Sequence, residues 1–221
     1  MAEAKQRAQA DVTWRAGVPV ATRFDDPYFS LEDGLAEARH VFLSGNDLPD
    51  RLHAGFHVAE LGFGTGLNAL ALAQAWHGPG RVRMTSFEAF PLSGADMAQA
   101  LAAFPELAEP AAVLLAAWPA QRIDLGGVEL RVVTGDARRT VPAWGEAADA
   151  WFLDGFAPAR NPELWEPDLL AAVARHTRPG GTVATYSAAG AVRRGLTQAG
   201  FEVARRPGFG RKRHMSVGRL R

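Results

Sequence analysis

The stretch that decides the fold is FHVAELGFGTGLNALALAQAW, residues 56–76 of the chain. FHVAEL has the apolar composition of a buried strand, and GLNALALAQAW has the leucine-rich composition of a helix. Three glycines, Gly62, Gly64 and Gly66, fall within five positions between the two. Because glycine costs backbone entropy, such a cluster indicates a tight turn or a place where a ligand approaches the backbone. The order of strand, glycine turn and helix therefore predicts a ligand-binding loop.

Strand and helix patterns alternate along the rest of the chain. Further strands are predicted in VRMTSFEAF, GVELRVVTGD, ADAWFLDGF, TVATYSA, FEVARR and RHMSVGRL. Helices are predicted in SGADMAQALAAF, capped by Ser93, in EPDLLAAVARHTRPGG, closed by Pro179 and its glycines, and in AGAVRRGLTQAG. This alternation predicts an α/β fold: a Rossmann-like, seven-stranded and mostly parallel sheet with helices on both faces. Only the last two strands share a short connection, so we expect the last strand to run antiparallel.

The residues before this sheet are predicted to form a small extension. DVTWRAGVPVATRF has the pattern of a hairpin turned by Gly17, and LEDGLAEARHVFL has the pattern of a helix. The first ten residues, MAEAKQRAQA, are polar and helix-prone. We therefore expect an N-terminal extension, residues 1–50, that packs on a main domain formed by residues 51–221.

Composition excludes several classes of protein. A chain of 221 residues, 48% of them hydrophobic, suits one domain with a substantial core. It has no cysteine for disulfides or metal ligation, and we interpret His176 and His214 as surface residues, so we expect no metal. The longest apolar stretch, PAAVLLAAWPA, is too short to span a bilayer, and the first residues lack the apolar core of a secretion signal. We expect a soluble, cytoplasmic protein without a membrane partner.

The formal net charge of zero hides an asymmetry. Residues 193–221 contain nine Lys and Arg and one acid, Glu202, a net charge of +8. The rest of the chain holds 15 bases and 23 acids, a net charge of −8. A basic C-terminal part can bind a polyanion such as nucleic acid, and a basic end that only keeps the protein soluble fits the charge equally well.

The glycine loop is compatible with a dinucleotide cofactor. Gly64, Gly66 and Ala69 fit the G-x-G-x-x-G/A spacing, and Glu88 follows 22 residues after Gly66. That pattern would make the protein a nicotinamide oxidoreductase. Short glycine patterns recur by chance, so the spacing is weak evidence on its own.

Three acids favour S-adenosylmethionine instead. Glu60 precedes the loop as E-x-G-x-G-x-G, the form usual in methyltransferases, where the acid helps to hold the methionine amino group. Glu88 ends the second strand, where a carboxylate can accept both ribose hydroxyls, and Asp136 follows the third strand, where it can meet the adenine amino group. Taken singly, Glu60 could be a strand-end charge, Glu88 a surface acid and Asp136 a helix cap. Their order on consecutive strand ends favours the cofactor. The loop residues expected to contact it are Gly62, Gly64, Thr65, Gly66 and Asn68.

The fourth strand is predicted to carry the chemistry. WFLDGFAPARNPELW places Asp154 at the carboxyl end of that strand, followed by Phe156 and two prolines. Amino and ring-nitrogen methyltransferases have a short Asp/Asn-Pro-Pro-aromatic motif here, whose polar group accepts a hydrogen bond from the target nitrogen. We interpret Asp154 and Phe156 as the catalytic residues, with a loop cap and a core aromatic as the alternatives. Asn161, Trp165 and Tyr28 are candidates for the substrate pocket, and Trp165 and Tyr28 fit equally well as structural residues.

Six blocks of the sequence are similar to one known family. They are TRFDDPYFSLEDGLAEARHVFLSGNDL, ELGFGTGLNALAL, SFEAFPLSGADM, DAWFLDGFAPARNPELW, RPGGTVATYSAAGAVRRGLTQAGF and GFGRKRHM. From about Thr22 to the C-terminus, the chain resembles the methyltransferase domain of the MnmC family of bifunctional tRNA wobble-uridine enzymes. The resemblance implies a class I methyltransferase domain that methylates the amine of 5-aminomethyl-2-thiouridine at the tRNA wobble position, giving 5-methylaminomethyl-2-thiouridine.

The resemblance also implies a partner enzyme and roles for the remaining residues. In the bifunctional enzymes a flavin-dependent oxidoreductase domain follows, so a chain that ends at Arg221 is expected to be the stand-alone form, MnmD, whose aminomethyl substrate comes from a separate enzyme or pathway. Asp154 would accept the proton of the amine. The candidates for contact with the anticodon arm are Arg193, Arg194, Arg211, Lys212 and Arg213. A methyltransferase or aminopropyl transferase that acts on a small-molecule amine remains the alternative, which the basic C-terminal part disfavours.

Overall fold

The computed structural model describes residues 9–221, so most of the polar start MAEAKQRAQA lies outside the described residues. The strands are β1 (Val12–Arg15), β2 (Val18–Ala21), β3 (Asp26–Pro27), β4 (His57–Leu61), β5 (Val82–Glu88), β6 (Arg122–Asp124), β7 (Val128–Thr134), β8 (Ala148–Leu153), β9 (Thr177–Thr185), β10 (Phe201–Pro207) and β11 (His214–Leu220). The helices are α1 (Gly34–Ala38), α2 (Leu67–Ala75), α3 (Gly94–Leu101), α4 (Ala108–Ala117), α5 (Ala137–Thr140), α6 (Pro167–Arg175) and α7 (Gly190–Gln198).

Eight strands form the central sheet, in the order β10-β11-β9-β8-β4-β5-β7-β6. The run from β9 through β8, β4 and β5 to β7 is parallel, and β11 lies antiparallel between β9 and β10. The predicted Rossmann-like α/β architecture with an antiparallel last strand is therefore confirmed. The sheet has one strand more than predicted, because Arg122–Asp124 forms an antiparallel edge strand beside β7. Three residues are too few to show the alternation that identifies a strand in a sequence.

The hydrophobic core lies on both faces of the sheet. Successive residues of a strand point to opposite faces, and β8 follows this rule. Ala150 and Phe152 pack in the layer shared with α1 to α4, whereas Trp151 and Leu153 pack in the layer shared with α6 and α7. All four side chains are fully buried, and each of the three larger ones stabilises the fold by about 1.5–3 kcal/mol. The strand that ends in Asp154 is thus fixed from both sides.

One helical prediction needs correction, and one helix was missed. The helix predicted to close at Pro179 ends at Arg175, and Pro179 lies inside β9. Proline holds the preceding residue in an extended conformation, and the sheet accepts it here because the register between β8 and β9 shifts between Ala148 and Ala150. The apolar stretch PAAVLLAAWPA contains most of a helix that was not predicted, α4. Its apolar residues surround the helix, so they show no clear helical period.

The N-terminal residues form a second, three-stranded sheet of β1, β2 and β3. The predicted hairpin is confirmed, with Ala16 and Gly17 in the left-handed conformation at its turn. The predicted helix is present as α1 and continues in a π-helical turn, Arg39–Leu43. Asp26 attaches this segment to the main sheet, because its carboxylate accepts a hydrogen bond of 2.8 Å from the Ala157 amide. Within residues 9–221, no helix has the length and apolar composition needed to cross a membrane.

Candidate active site

The candidate site is a cavity of about 760 Å³ at the carboxyl ends of the parallel strands. Because these ends meet at one edge of the sheet, the residues that follow them converge. Glu88 ends β5, Asp136 follows β7 closely, and Asp154 follows β8 directly, and all three line the cavity. The volume lies within the range of about 300–1,000 Å³ that is usual for sites of small ligands.

The glycine loop between β4 and α2 forms one wall of this cavity. Gly62, Gly64 and Gly66 all have positive φ angles, of 86°, 53° and 82°. A Cβ atom at Gly62 would lie 2.2 Å from the carbonyl oxygen of Asp154, so this glycine allows β4 and β8 to end side by side. A Cβ atom at Gly64 would lie 3.1 Å from the ring of Tyr28, inside the cavity wall. Gly66 lies behind the wall, where it begins α2 and a side chain would meet Leu114.

Glu88 and Asp136 face the cavity with different surroundings. Glu88 accepts hydrogen bonds from the amides of Gly64, at 3.0 Å, and Phe90, at 2.7 Å. Burial raises the pKa of Glu88, and these amides oppose that rise. Asp136 caps α5 and pairs with Arg138 at 2.7 Å, which lowers its pKa. Asp136 therefore lies in the cavity, as a cofactor contact requires, and it is also a helix cap, which was the alternative interpretation.

Glu60 lies behind the cavity wall. Its side chain is fully buried and accepts hydrogen bonds from Asn68 Nδ2, at 2.9 Å, and Ser86 Oγ, at 2.6 Å. The same Asn68 nitrogen donates to Asp154 Oδ2 at 2.6 Å. Asn68 thus joins the two acids, and Glu60 reaches the cavity only through this amide. Burial raises the pKa of Glu60 well above its usual value.

Asp154 is a cavity acid with a strongly altered ionisation. Burial raises the pKa of its carboxyl group to about 7. The hydrogen bond from Asn68 and the charge of Lys212 oppose this rise, while the charge of Glu37 adds to it. A carboxyl group with such a pKa exchanges protons readily at neutral pH.

Aromatic side chains form another wall of the cavity, in which Tyr28 lies next to Gly64 of the glycine loop. The Phe156 ring lies 4.9 Å from that of Phe24 and 5.2 Å from that of Tyr28, in an edge-to-face arrangement with the latter. Asn161 also lines the cavity, although it is largely buried. Trp165 lies in the core instead, where its indole donates to the carbonyl of Phe156 at 2.9 Å. Trp165 therefore supports the wall from behind, as its structural alternative required.

The cationic candidates divide into two groups. Most cations of the C-terminal part are in ion pairs: Arg206 and Arg219 with Asp47, Arg211 with Glu32, Lys212 with Glu37, and Arg221 with Glu202. For Arg193, Arg194 and Arg213, the described part of the chain provides no acidic partner. Lys212 alone among the predicted phosphate contacts lines the cavity. The other candidates lie outside it, on α7 and on the loop between β10 and β11.

Tyr186 and Glu37 are among the cavity residues that the sequence analysis missed. Tyr186 follows β9 directly, so the strand-end rule that identified Glu88, Asp136 and Asp154 also applies to it. Its hydroxyl donates to the carbonyl of Gly155 at 2.7 Å. Glu37 lies on α1, and no sequence signal indicated that this helix reaches the cavity.

The predicted histidines lie away from this site. His176 and His214 are half-buried rather than fully exposed, and a ring nitrogen of His176 lies 2.8 Å from the carbonyl oxygen of Glu146. Among residues 9–221, no three His, Asp or Glu side chains are arranged to hold a metal ion.

Comparison with known proteins identifies the family that the chain matches. Residues 105–221 match a family described as S-adenosyl-L-methionine-dependent methyltransferase. The chain is 49% identical, over 220 residues, to the tRNA 5-methylaminomethyl-2-thiouridine biosynthesis bifunctional protein MnmC of Caulobacter vibrioides, covering 93% of this chain and 37% of that protein. The protein of the same name from Methylobacillus flagellatus is 45% identical over 228 residues, with 96% and 35% covered. The chain thus spans just over a third of the length of these relatives.

Solved structures with the same fold include MNMC2 from Aquifex aeolicus. It matches with a TM-score of 0.78 at 26% identity, over 98% of this chain and 72% of that one. TrmN from Thermus thermophilus matches with a TM-score of 0.50 at 20% identity, over 95% of this chain and 55% of that one, which is a likeness of fold alone.

Proposed function

The chain belongs to the family of S-adenosyl-L-methionine-dependent methyltransferases, and we propose that it methylates the amine of 5-aminomethyl-2-thiouridine at the tRNA wobble position. The product is 5-methylaminomethyl-2-thiouridine. The names of the MnmC relatives assign them to the biosynthesis of this nucleoside in tRNA. Because the chain spans only part of those proteins, the proposal depends on whether its own cavity suits an amine, and one observation carries it: Asp154, with a pKa of about 7, beside the glycine loop.

The cavity fits the cofactor of this family. A side chain at Gly64 would occupy the space before Tyr28, so glycine keeps the loop accessible to a ligand. We assign Glu88 to the ribose hydroxyls and Asp136 to the adenine amino group, since both line the cavity. Glu60 would orient Asn68 toward the methionine amino group, because it is too deeply buried to make that contact itself. When bound, S-adenosylmethionine supplies a methyl group activated by its sulfonium charge.

Asp154 has the properties needed to handle the proton of a primary amine. Such an amine is mostly protonated at neutral pH, and its lone pair must be free before it can attack. A carboxylate with a pKa of about 7 accepts that proton more readily than an ordinary carboxylate does, and it can release the proton again near neutral pH. Its negative charge also stabilises the positive charge that develops on nitrogen during the transfer. Phe156 and Tyr28 provide an apolar wall against which the uracil ring can be positioned.

The tRNA substrate is supported by the position of the arginines that have no acidic partner within residues 9–221. Arg193 and Arg194 lie on α7, which follows β9, and Arg213 lies on the loop before β11. Both elements adjoin the side of the sheet that contains Asp154. We assign these arginines to phosphates of the anticodon arm. Residues 1–50 would form the extension that covers the site, with residues 51–221 as the methyltransferase domain, and a tRNA substrate agrees with a location in the cytoplasm.

The substitution Asp154→Asn tests this proposal. It keeps the shape of the side chain and removes its ability to accept a proton. We expect turnover on aminomethyl-bearing tRNA to fall by about 10²–10⁴-fold, while calorimetry shows unchanged affinity for S-adenosylmethionine. Asp168→Asn, the same change at an exposed position on α6, is the control and should retain full activity. Near-normal turnover of the Asp154 variant at saturating tRNA would reduce Asp154 to a structural cap.

A further inference from the structure

An ion pair between helix α1 and the last hairpin lies in the wall of the cavity. Lys212 Nζ, on the loop between β10 and β11, lies 2.7 Å from Glu37 Oε1, on α1. The Glu37 side chain is only 11% exposed, whereas that of Lys212 is 46% exposed. Both residues line the cavity together with Asp154. The charge pair is therefore not a peripheral surface contact.

Lys212 is held in place by a second contact. Its ammonium lies 4.1 Å from the centre of the Tyr186 ring, a distance at which the ring attracts a cation. Tyr186 is fixed in turn by its hydrogen bond to the carbonyl of Gly155, the residue after Asp154. The position of the lysine is thus defined by the same loop that carries the candidate proton acceptor.

The charged and titratable groups around Asp154 come from every side of the cavity. Glu60 on β4 is joined to it through an amide, Tyr186 follows β9, and Asp26 on β3 binds the backbone of the same loop. Tyr186 stays neutral, because burial and the nearby acids raise its pKa. The charge of Asp154 also helps to raise the pKa of Glu60. Glu37 and Lys212 line the same cavity, and their charges act on Asp154 in opposite directions: Glu37 raises its pKa and Lys212 lowers it.

We propose that Lys212 and Glu37 are positioning residues that set the charge of Asp154: Lys212 favours the carboxylate and Glu37 opposes it. This role rests on the proposed function, in which Asp154 accepts the proton of the amine. It gives Lys212 a task in the cavity instead of the phosphate contact that its place in a basic loop suggested. Because the two charges have opposite signs, removing one or the other should move the pKa of Asp154 in opposite directions.

The test measures the pKa of Asp154 directly, by NMR titration of the ¹³C-labelled carboxyl group in the ligand-free protein, assigned with Asp154→Asn. Lys212→Gln should raise this pKa and Glu37→Gln should lower it, each by about 0.5–1 unit, because one nearby charge is removed from a partly solvated site. Lys212→Arg keeps the charge and should retain the wild-type value. Arg81→Gln is the control: Arg81, just before β5, pairs with Asp124 on β6 at the same distance of 2.7 Å, and neither residue lines the cavity.

The pH profile of methyl transfer separates this inference from the proposed function. If both hold, the acid limb of the profile moves with the titrated pKa, upward for Lys212→Gln and downward for Glu37→Gln. If the titrated pKa moves but the limb does not, Asp154 is not the proton acceptor, and the proposed function is wrong in that step. If the pKa of Asp154 stays constant in both folded variants, or moves in the same direction in both, the inference about Lys212 and Glu37 is overturned.

Discussion

Replacing Asp154 by Asn should stabilise the ligand-free protein at neutral and alkaline pH while it removes activity. Burial raises the pKa of Asp154 from 3.8 to about 7, so the folded protein binds this proton more tightly than the unfolded chain does. The stability that the neutral carboxyl group contributes at low pH is therefore lost as pH rises through the folded-state pKa. Asparagine does not titrate, and its side-chain oxygen can still accept the hydrogen bond from Asn68.

The size of the effect follows from the change in pKa. A shift of one unit corresponds to about 1.4 kcal/mol, so the ionised carboxylate destabilises the fold by up to about 4 kcal/mol. Because the carboxyl group faces the cavity, solvent there screens its charge and reduces this figure. We therefore expect Asp154→Asn to be more stable than the wild type by about 2–4 kcal/mol near pH 8. Near pH 4 the two proteins should be about equal in stability.

Urea denaturation of the ligand-free proteins across this range of pH measures the difference. A second readout is the melting temperature, which should rise by about 2–4 °C for each kcal/mol in a domain of this size. Asp168→Asn, the exposed control on α6, should show no such dependence on pH. A constant difference between wild type and Asp154→Asn at all values of pH, or no difference near pH 8, would refute the reasoning, since the cavity would then not disfavour the charge.

Two further predictions concern ligand binding. Gly64→Val should abolish binding of S-adenosylmethionine in calorimetry, because the valine side chain would meet Tyr28 and resist a φ of 53°. Gly17→Val is the control: Gly17 has a φ of 80° and no neighbour within 4 Å, so this change should reduce only the stability of the fold. Unchanged affinity of folded Gly64→Val would remove the loop from the site. Replacing Arg193, Arg194 and Arg213 together by Ala should flatten the slope of log affinity for tRNA against log salt by about two units, since each lost phosphate contact removes about 0.7–0.9; an unchanged slope would show that the anticodon arm binds elsewhere.

Much of the fold and part of the site could be predicted from the sequence. Parallel strands bring their carboxyl ends to one edge, so the strand positions alone placed Glu88, Asp136 and Asp154 around one cavity. The same logic could not place Glu37 beside Lys212, because 175 positions separate them and only tertiary packing brings α1 to the last hairpin.

The sequence also could not show which of the candidate side chains are buried. The pattern E-x-G-x-G-x-G shows that an acid precedes the loop, but not that Asn68 separates Glu60 from the cavity. In the same way, Trp165 suits a pocket or a core equally well until its neighbours are known. Short or uniformly apolar elements such as β6 and α4 were missed because they carry no period.

The central claim is that this cavity methylates an amine on a tRNA wobble uridine. The measurement that tests it most directly is mass spectrometry of the wobble nucleoside, after incubation of the protein with aminomethyl-bearing tRNA and S-adenosylmethionine labelled in its methyl group. We predict that the label appears in 5-methylaminomethyl-2-thiouridine, and that Asp154→Asn nearly abolishes it. If the protein binds the cofactor but the wobble nucleoside stays unlabelled, while a small-molecule amine is methylated, the claim is contradicted.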